Sequence, residues 1–200
     1  MFRTSRRSAT KVHNGQVQRK NRHDQTPHYL THEMPSLVID RKRPGEGYRH
    51  LVFQDEIRRF LDILPQWGEL RLKLDAIVMD EGGDCMGWHR SGVVAICAWD
   101  RSIEIPAEAK FIEEHREVFE KLGIPYRLKD NSAIGLIEFN ELTAKAFQLI
   151  HVLVHELGHH HDRMTTRSQN NPARGETYAE AYARQWEDEI LHRYRFEFDL

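Results

Sequence analysis

Residues 144–161 read AKAFQLIHVLVHELGHHH, and the fold is decided by how this stretch is read. Phe147, Leu149, Ile150, Val152, Leu153, Val154 and Leu157 make it apolar nearly all round, which predicts a buried central helix rather than a surface one. Asn140 stands where a side-chain oxygen can cap its start. Inside the helix, His155, Glu156, Leu157, Gly158 and His159 form an HExxH pentapeptide. Residues i and i+4 share one helical face about 6 Å apart, so two imidazoles can converge on one cation while Glu156 points toward the neighbouring coordination position. The chain holds 13 His, so the pentapeptide alone discriminates weakly. Its setting carries the inference, because two His and a Glu buried in an apolar helix are costly without a partner, and a metal ion supplies one.

The chemistry follows from the donor types. Zinc lowers the pKa of a bound water toward neutrality, and Glu156 stands where it can take that proton. Two His leave a catalytic zinc one protein ligand short. An HExxHxxGxxH site would need Gly at 162 and His at 165, whereas the chain has Asp162 and Thr165. Asp162, near the end of the helix, is expected to orient a neighbour or stop the helix. A last helix, expected from about Glu176 to Tyr194, places Glu176 and Glu180 at i and i+4 beside Ala179 and Ala183, whose small side chains permit close helix approach. Either carboxylate could complete the site.

With these residues in place, the chain resembles the gluzincin group of metallopeptidases, in which HExxH is followed by a helix bearing ExxxD or a variant. His155, Glu156 and His159 match the first part; Glu176 and Glu180 match the second, with Glu in place of the usual Asp or Asn. Glu176, Ala179, Tyr182 and Ala183 are also similar to a stretch of the ImmA/IrrE-type regulatory peptidases. The resemblance implies Zn2+ held by His155, His159 and Glu176, with Glu180 supporting a zinc-bound imidazole from behind and Glu156 catalytic. It covers residues 144–186 in motif and the upstream strand order in outline.

Other polar residues near the motif invite roles as well. His151 lies one turn before His155 and could support the site. His160, His161, Tyr178 and Tyr182 could donate to a developing oxyanion, although aromatic residues at helical spacing are more often core.

Working outward, Asp55 can cap a helix with apolar positions Ile57, Phe60, Leu61 and Leu64, stopped by Pro65. Leu70, Leu72 and Leu74 alternate with polar residues at strand period, continuing into Ala76–Met79. Val93–Trp99 reads as a second strand and a candidate edge along which an extended peptide could align. Pro106 suits the first turn of a helix with Phe111, Ile112, Val118, Phe119 and Leu122 as its stripe and Gly123 at its end. Ala133–Phe139 reads as a further strand. The expected architecture is α+β: a zincin-like single domain over residues 36–200, with a small mixed β-sheet, a buried active-site helix carrying HExxH and a C-terminal helix after it.

Composition bounds the rest. Residues 1–30 carry Arg3, Arg6, Arg7, Lys11, Arg19, Lys20 and Arg22 against one acid, Asp24, although the whole chain is at −2. Residues 1–35 are almost free of aliphatic side chains and predict a disordered basic arm, suited to a polyanion or nucleic acid. Cys85 and Cys97 are too few for a disulfide framework and predict reduced thiols. No apolar run approaches the roughly 20 residues of a membrane span, and the start lacks the apolar stretch of a secretory signal. The expectation is a cytoplasmic zinc metallopeptidase acting on a protein or peptide. The alternative is a zincin-like regulatory or nucleic-acid-associated module with a mainly structural metal.

Overall fold

The structure, a computed structural model, describes residues 36–128, 133–166 and 174–198, together with a short backbone ladder between β1 (Val12–His13) and β2 (Gln16–Val17). Apart from that ladder, the basic arm expected over residues 1–35 lies outside the described residues. The chain continues through β3 (Val38–Arg41), β4 (Tyr48–Arg49), α1 (Gln54–Ile63), α2 (Trp67–Leu70), β5 (Ala76–Asp80), β6 (Gly87–Arg90), β7 (Val93–Cys97) and β8 (Trp99–Asp100). There follow β9 (Glu104–Glu108), α3 (Ala109–Glu114), α4 (Arg116–Leu122), β10 (Tyr126–Leu128) and β11 (Ile134–Glu138). A helical rod comes next, made of α5 (Glu141–Ala146), a π-helical stretch (Phe147–Leu153) and α6 (Val154–Thr165); α7 (Gly175–Glu197) ends the described chain. The fold is mixed α+β.

The principal sheet has the order β3-β5-β7-β6, with β3, β5 and β7 parallel and β6 antiparallel at one edge. Every residue of β5 and β7 is buried, as both-face coverage demands of parallel strands, and this accounts for their continuous apolar sequence. Ile77, Met79, Val94 and Ile96 belong to the main core with Phe147, Ile150, Leu153 and Leu157 of the rod, while Ala76, Val78, Val93 and Ala95 join Trp88 in a smaller cluster. Each fully buried aliphatic side chain of this kind contributes about 1.5–3 kcal/mol. A second sheet, β10-β11-β9, is antiparallel throughout.

Asn140 caps the rod: its Oδ1 accepts from the Thr143 N–H at 2.8 Å, and its own N–H donates to Thr143 Oγ1 at 2.9 Å. Gly123 ends α4 at φ 65°, a left-handed conformation that favours glycine. Four local expectations change. Asp55 lies inside the first turn of α1, and the start is instead held by Glu56, which accepts from the Phe53 N–H at 2.7 Å. Leu70–Asp75 is not strand: Leu70 closes α2, Leu72 is 58% exposed, and Lys73 has φ 52°, so its alternation reflects a turn with two anchored leucines. Pro106 sits in β9, where an edge strand tolerates the missing N–H. The helix expected after it is two short helices broken at His115. No helix among the described residues is long and apolar enough to cross a membrane.

Candidate metal centre

His155 and His159 stand in regular α-helix just beyond the π-helical stretch, so the i, i+4 spacing places their rings together, with centroids 4.9 Å apart. What brings the second carboxylate pair to them is the contact of α6 with α7. A Cβ on Gly158 would lie 3.0 Å from Ala179 Cα and 3.1 Å from Ala179 O, so the absence of a side chain at 158 sets the interhelical distance. Asp162, fully buried at the end of α6, pins the start of α7. Its Oδ2 accepts from the backbone N–H groups of Arg174 (2.8 Å) and Gly175 (3.0 Å), and its Oδ1 from Arg174 Nε (2.7 Å). The expectation that Asp162 orients a neighbour is met at the helix end that carries Glu176.

So held, Glu176 presents Oε2 at 3.3 Å from His155 Nε2 and 3.5 Å from His159 Nε2. A tetrahedral ion with bonds of about 2.0–2.1 Å sets its ligand atoms about 3.4 Å apart, so the three donors fit zinc in spacing as well as type. Glu180, one turn later, reaches the opposite nitrogen: His155 Nδ1–H donates to its Oε2 at 3.2 Å, and Arg184 Nε donates to its Oε1 at 2.9 Å. The two glutamates are therefore distinguished by geometry. His159 Nδ1 is buried without a hydrogen-bond partner among the described residues.

Burial works against charging His155, yet its hydrogen bonds with Glu176 and Glu180 raise it to about 10, the signature of a carboxylate cage that favours positive charge. Burial would likewise raise Glu180, but the hydrogen bond from His155 and the nearby His151 and His115 bring it down to about 2. Glu156 behaves oppositely: burial, only partly offset by His155 and His159, pushes it up to about 7.

Glu156, His155, Glu176 and Glu180 line one wall of a cleft of about 720 Å³, faced by Gly87 and by α3 residues including Phe111. The edge strand beside the site is β6, not the expected Val93–Trp99: β7 is interior, flanked by β5 and β6, and among the described residues β6 is the strand with an outer edge that packs on α6. Gly87 fits there because a Cβ would meet Glu156 Cγ and Val152 Cγ1 at 2.9 Å and Ala95 O at 2.8 Å. A glycine inside a strand is a signal of close approach, but the strand itself was not readable. Next to it, His89 stacks against His159 at 6.2 Å; its Nε2 is buried and unpartnered among the described residues, and burial, with His160 and His159 nearby, lowers it to about 3.

The remaining sequence candidates divide. His151 is buried and lines the cleft, donating from Nδ1 to Glu187 Oε1 at 3.1 Å. His160 is drawn away to the Leu72 carbonyl at 3.0 Å, and His161 pairs with the Tyr178 hydroxyl at 2.6 Å, while Arg174 covers the Tyr178 ring. Tyr182 stacks against His161. None of these four lines the cleft. Cys85 and Cys97 form no disulfide; their Sγ atoms lie 3.7 Å apart, at hydrogen-bond distance for sulfur. His115, which has no helical spacing to the motif, reaches the cleft from the break between α3 and α4.

Set against family models, curated proteins and solved structures, the chain matches none.

Proposed function

We propose that this chain is a zinc-dependent peptidase of gluzincin type, with His155, His159 and Glu176 as metal ligands and Glu156 as general base. The observation that carries this reading is the placement of Glu176 Oε2 at 3.3 Å and 3.5 Å from the two imidazole Nε2 atoms, beside a cleft that also contains Glu156. Bound there, zinc would act as a Lewis acid toward a water and a substrate carbonyl. Glu156, buried beside the two imidazoles and lining the cleft, takes the proton of the attacking water and passes it to the leaving amine. Glu180 fixes the ring plane and tautomer of His155. An extended peptide can pair its main chain with the outer edge of β6, which lays its carbonyl across the site.

Three protein ligands at an open cleft are the pattern of a catalytic zinc; structural sites are closed by four. This favours catalysis over a regulatory module with a mainly structural metal. The test is Glu156→Gln in the full chain, with zinc content and cleavage of a mixed peptide library measured together. Zinc retained at the wild-type level with no cleavage is the expected result. A variant that cleaves at the wild-type rate overturns the mechanism, and wild type that takes up no zinc overturns the site.

A further inference from the structure

We propose that His115, His151 and Glu180 form a second divalent-cation site in the same cleft, next to the HExxH centre. One ligand atom from each of the three lies within 4.8 Å of the others. The hydrogen bonds around them fix which atoms those are. His151 donates from Nδ1 to Glu187 Oε1 at 3.1 Å, and the other oxygen of that buried glutamate meets Lys121 Nζ at 3.3 Å. His115 donates from Nδ1 to the Phe111 carbonyl at 2.8 Å. Both rings are therefore anchored through Nδ1, which leaves Nε2 as the nitrogen that can bind a metal, as in a ligating imidazole held from its other side.

The result is an arrangement of acceptors. Nε2 of His151 faces Glu180 Oε2 at 3.7 Å, and the His115 ring meets the His151 ring edge-on with centroids 4.8 Å apart. Two facing lone pairs repel, and a cation between them, a proton or a metal ion, turns the contact into an attraction; at 3.7 Å the gap is wide enough for a metal ion. Glu180 Oε2 accepts one hydrogen bond, from His155, and a carboxylate oxygen has a second lone pair to give. Glu187 thus stands behind His151 as Glu180 stands behind His155, so the same imidazole–carboxylate construction occurs twice along the rod. His115, at a joint between two short helices and only partly buried, supplies the third ligand atom. Two imidazoles and one carboxylate select a borderline transition cation such as zinc or cobalt rather than calcium or magnesium, which prefer all-oxygen sites. Because His115, His151 and Glu180 all line the cleft, the ion has an entry path.

This assignment does not depend on peptidase activity. The metal-free full chain is titrated with zinc by calorimetry, and variants are compared by difference so that binding elsewhere in a His-rich chain cancels. His115→Ala is expected to take up one equivalent fewer than wild type, and Glu176→Ala also one fewer, with the two losses additive in the double variant. His115→Gln, which retains a donor for the Phe111 carbonyl, repeats the comparison should the alanine variant lose its far-UV circular dichroism. A His115 variant that keeps its fold and titrates like wild type overturns the second site and leaves the first untouched; a Glu176→Ala chain that loses no equivalent overturns the first alone.

Discussion

His155 Nδ1 donates to Glu180 Oε2 at 3.2 Å, while its Nε2 faces a different carboxylate, Glu176, at 3.3 Å. One imidazole thus connects two glutamates that look equivalent in sequence and are unequal in space. Glu176→Ala is expected to abolish binding at the HExxH centre. Glu180→Ala is expected to weaken it by about 10–100-fold without abolishing it, the usual cost of losing the group behind a metal-bound His. Competition against a zinc chelator, run in a His115→Ala background so that only the HExxH centre is read, measures both, and equal loss in the two variants would contradict the assignment of roles.

Gly87 holds β6 against the catalytic candidate. Because a Cβ there would lie 2.9 Å from Glu156 Cγ and 2.8 Å from the Ala95 carbonyl, Gly87→Ala must displace the glutamate or the strand. Misplacing a reacting group by about 1 Å can lower turnover by roughly 100-fold. The expected outcome is a chain that keeps its zinc and cleaves at least tenfold more slowly; unchanged turnover would show that the contact relaxes elsewhere.

Asp162 joins the end of α6 to the start of α7. Burial pushes its carboxyl up, but the Arg174 guanidinium and the two backbone N–H groups outweigh burial and hold it below its ordinary value of 3.8. A carboxyl depressed in the folded state contributes stability above the unfolded pKa and loses it as pH falls through the folded one. Wild type should therefore lose stability below about pH 4, and Asp162→Asn should flatten that acid limb. At neutral pH the variant should be less stable by about 1.5–3 kcal/mol, the usual worth of a hydrogen bond to a charged group, because the half-exposed Arg174 left behind is solvated. Urea melts between pH 2 and 7 give both numbers, and parallel acid limbs in the two proteins would refute the linkage.

The distance between the metal helix and α7 is set by Gly158. Gly158→Val would drive its side chain into the Ala179 backbone and Tyr182 Cβ, each about 3 Å from the first carbon alone. An overpacked contact of this kind costs about 1–3 kcal/mol. Because Glu176 rides on α7, zinc affinity should fall along with the melting temperature. A variant with a lowered melting temperature and wild-type zinc affinity would mean that α7 is positioned mainly by Asp162.

The features readable in advance are those governed by a few neighbouring residues. Asn140 caps its helix, Gly123 ends another, and Val93–Cys97 forms a buried strand, because each depends on local donors, acceptors or side-chain pattern. Strand β6 was missed because Gly87, Trp88, His89 and Arg90 have no apolar run; they pair only because Ala95 and Val94 lie opposite. Pro106 was misplaced because it suits a helix start as well as an edge strand, and only its register against Leu136 distinguishes them. His115 carried no signal at all, since its partners are 36 and 65 residues away in the chain.

By itself, the sequence determined that His155 and His159 share one face of a buried helix and that Glu176 and Glu180 share a face of another. Helical geometry fixes the angle between residues four apart whatever surrounds them. Only the tertiary structure decided that Glu176 meets both imidazoles while Glu180 stands behind one, and that His115 and Gly87 join them. The rotation of one helix against its neighbour is set by non-local contacts, here Gly158 on Ala179 and Asp162 on Arg174, which no local pattern encodes.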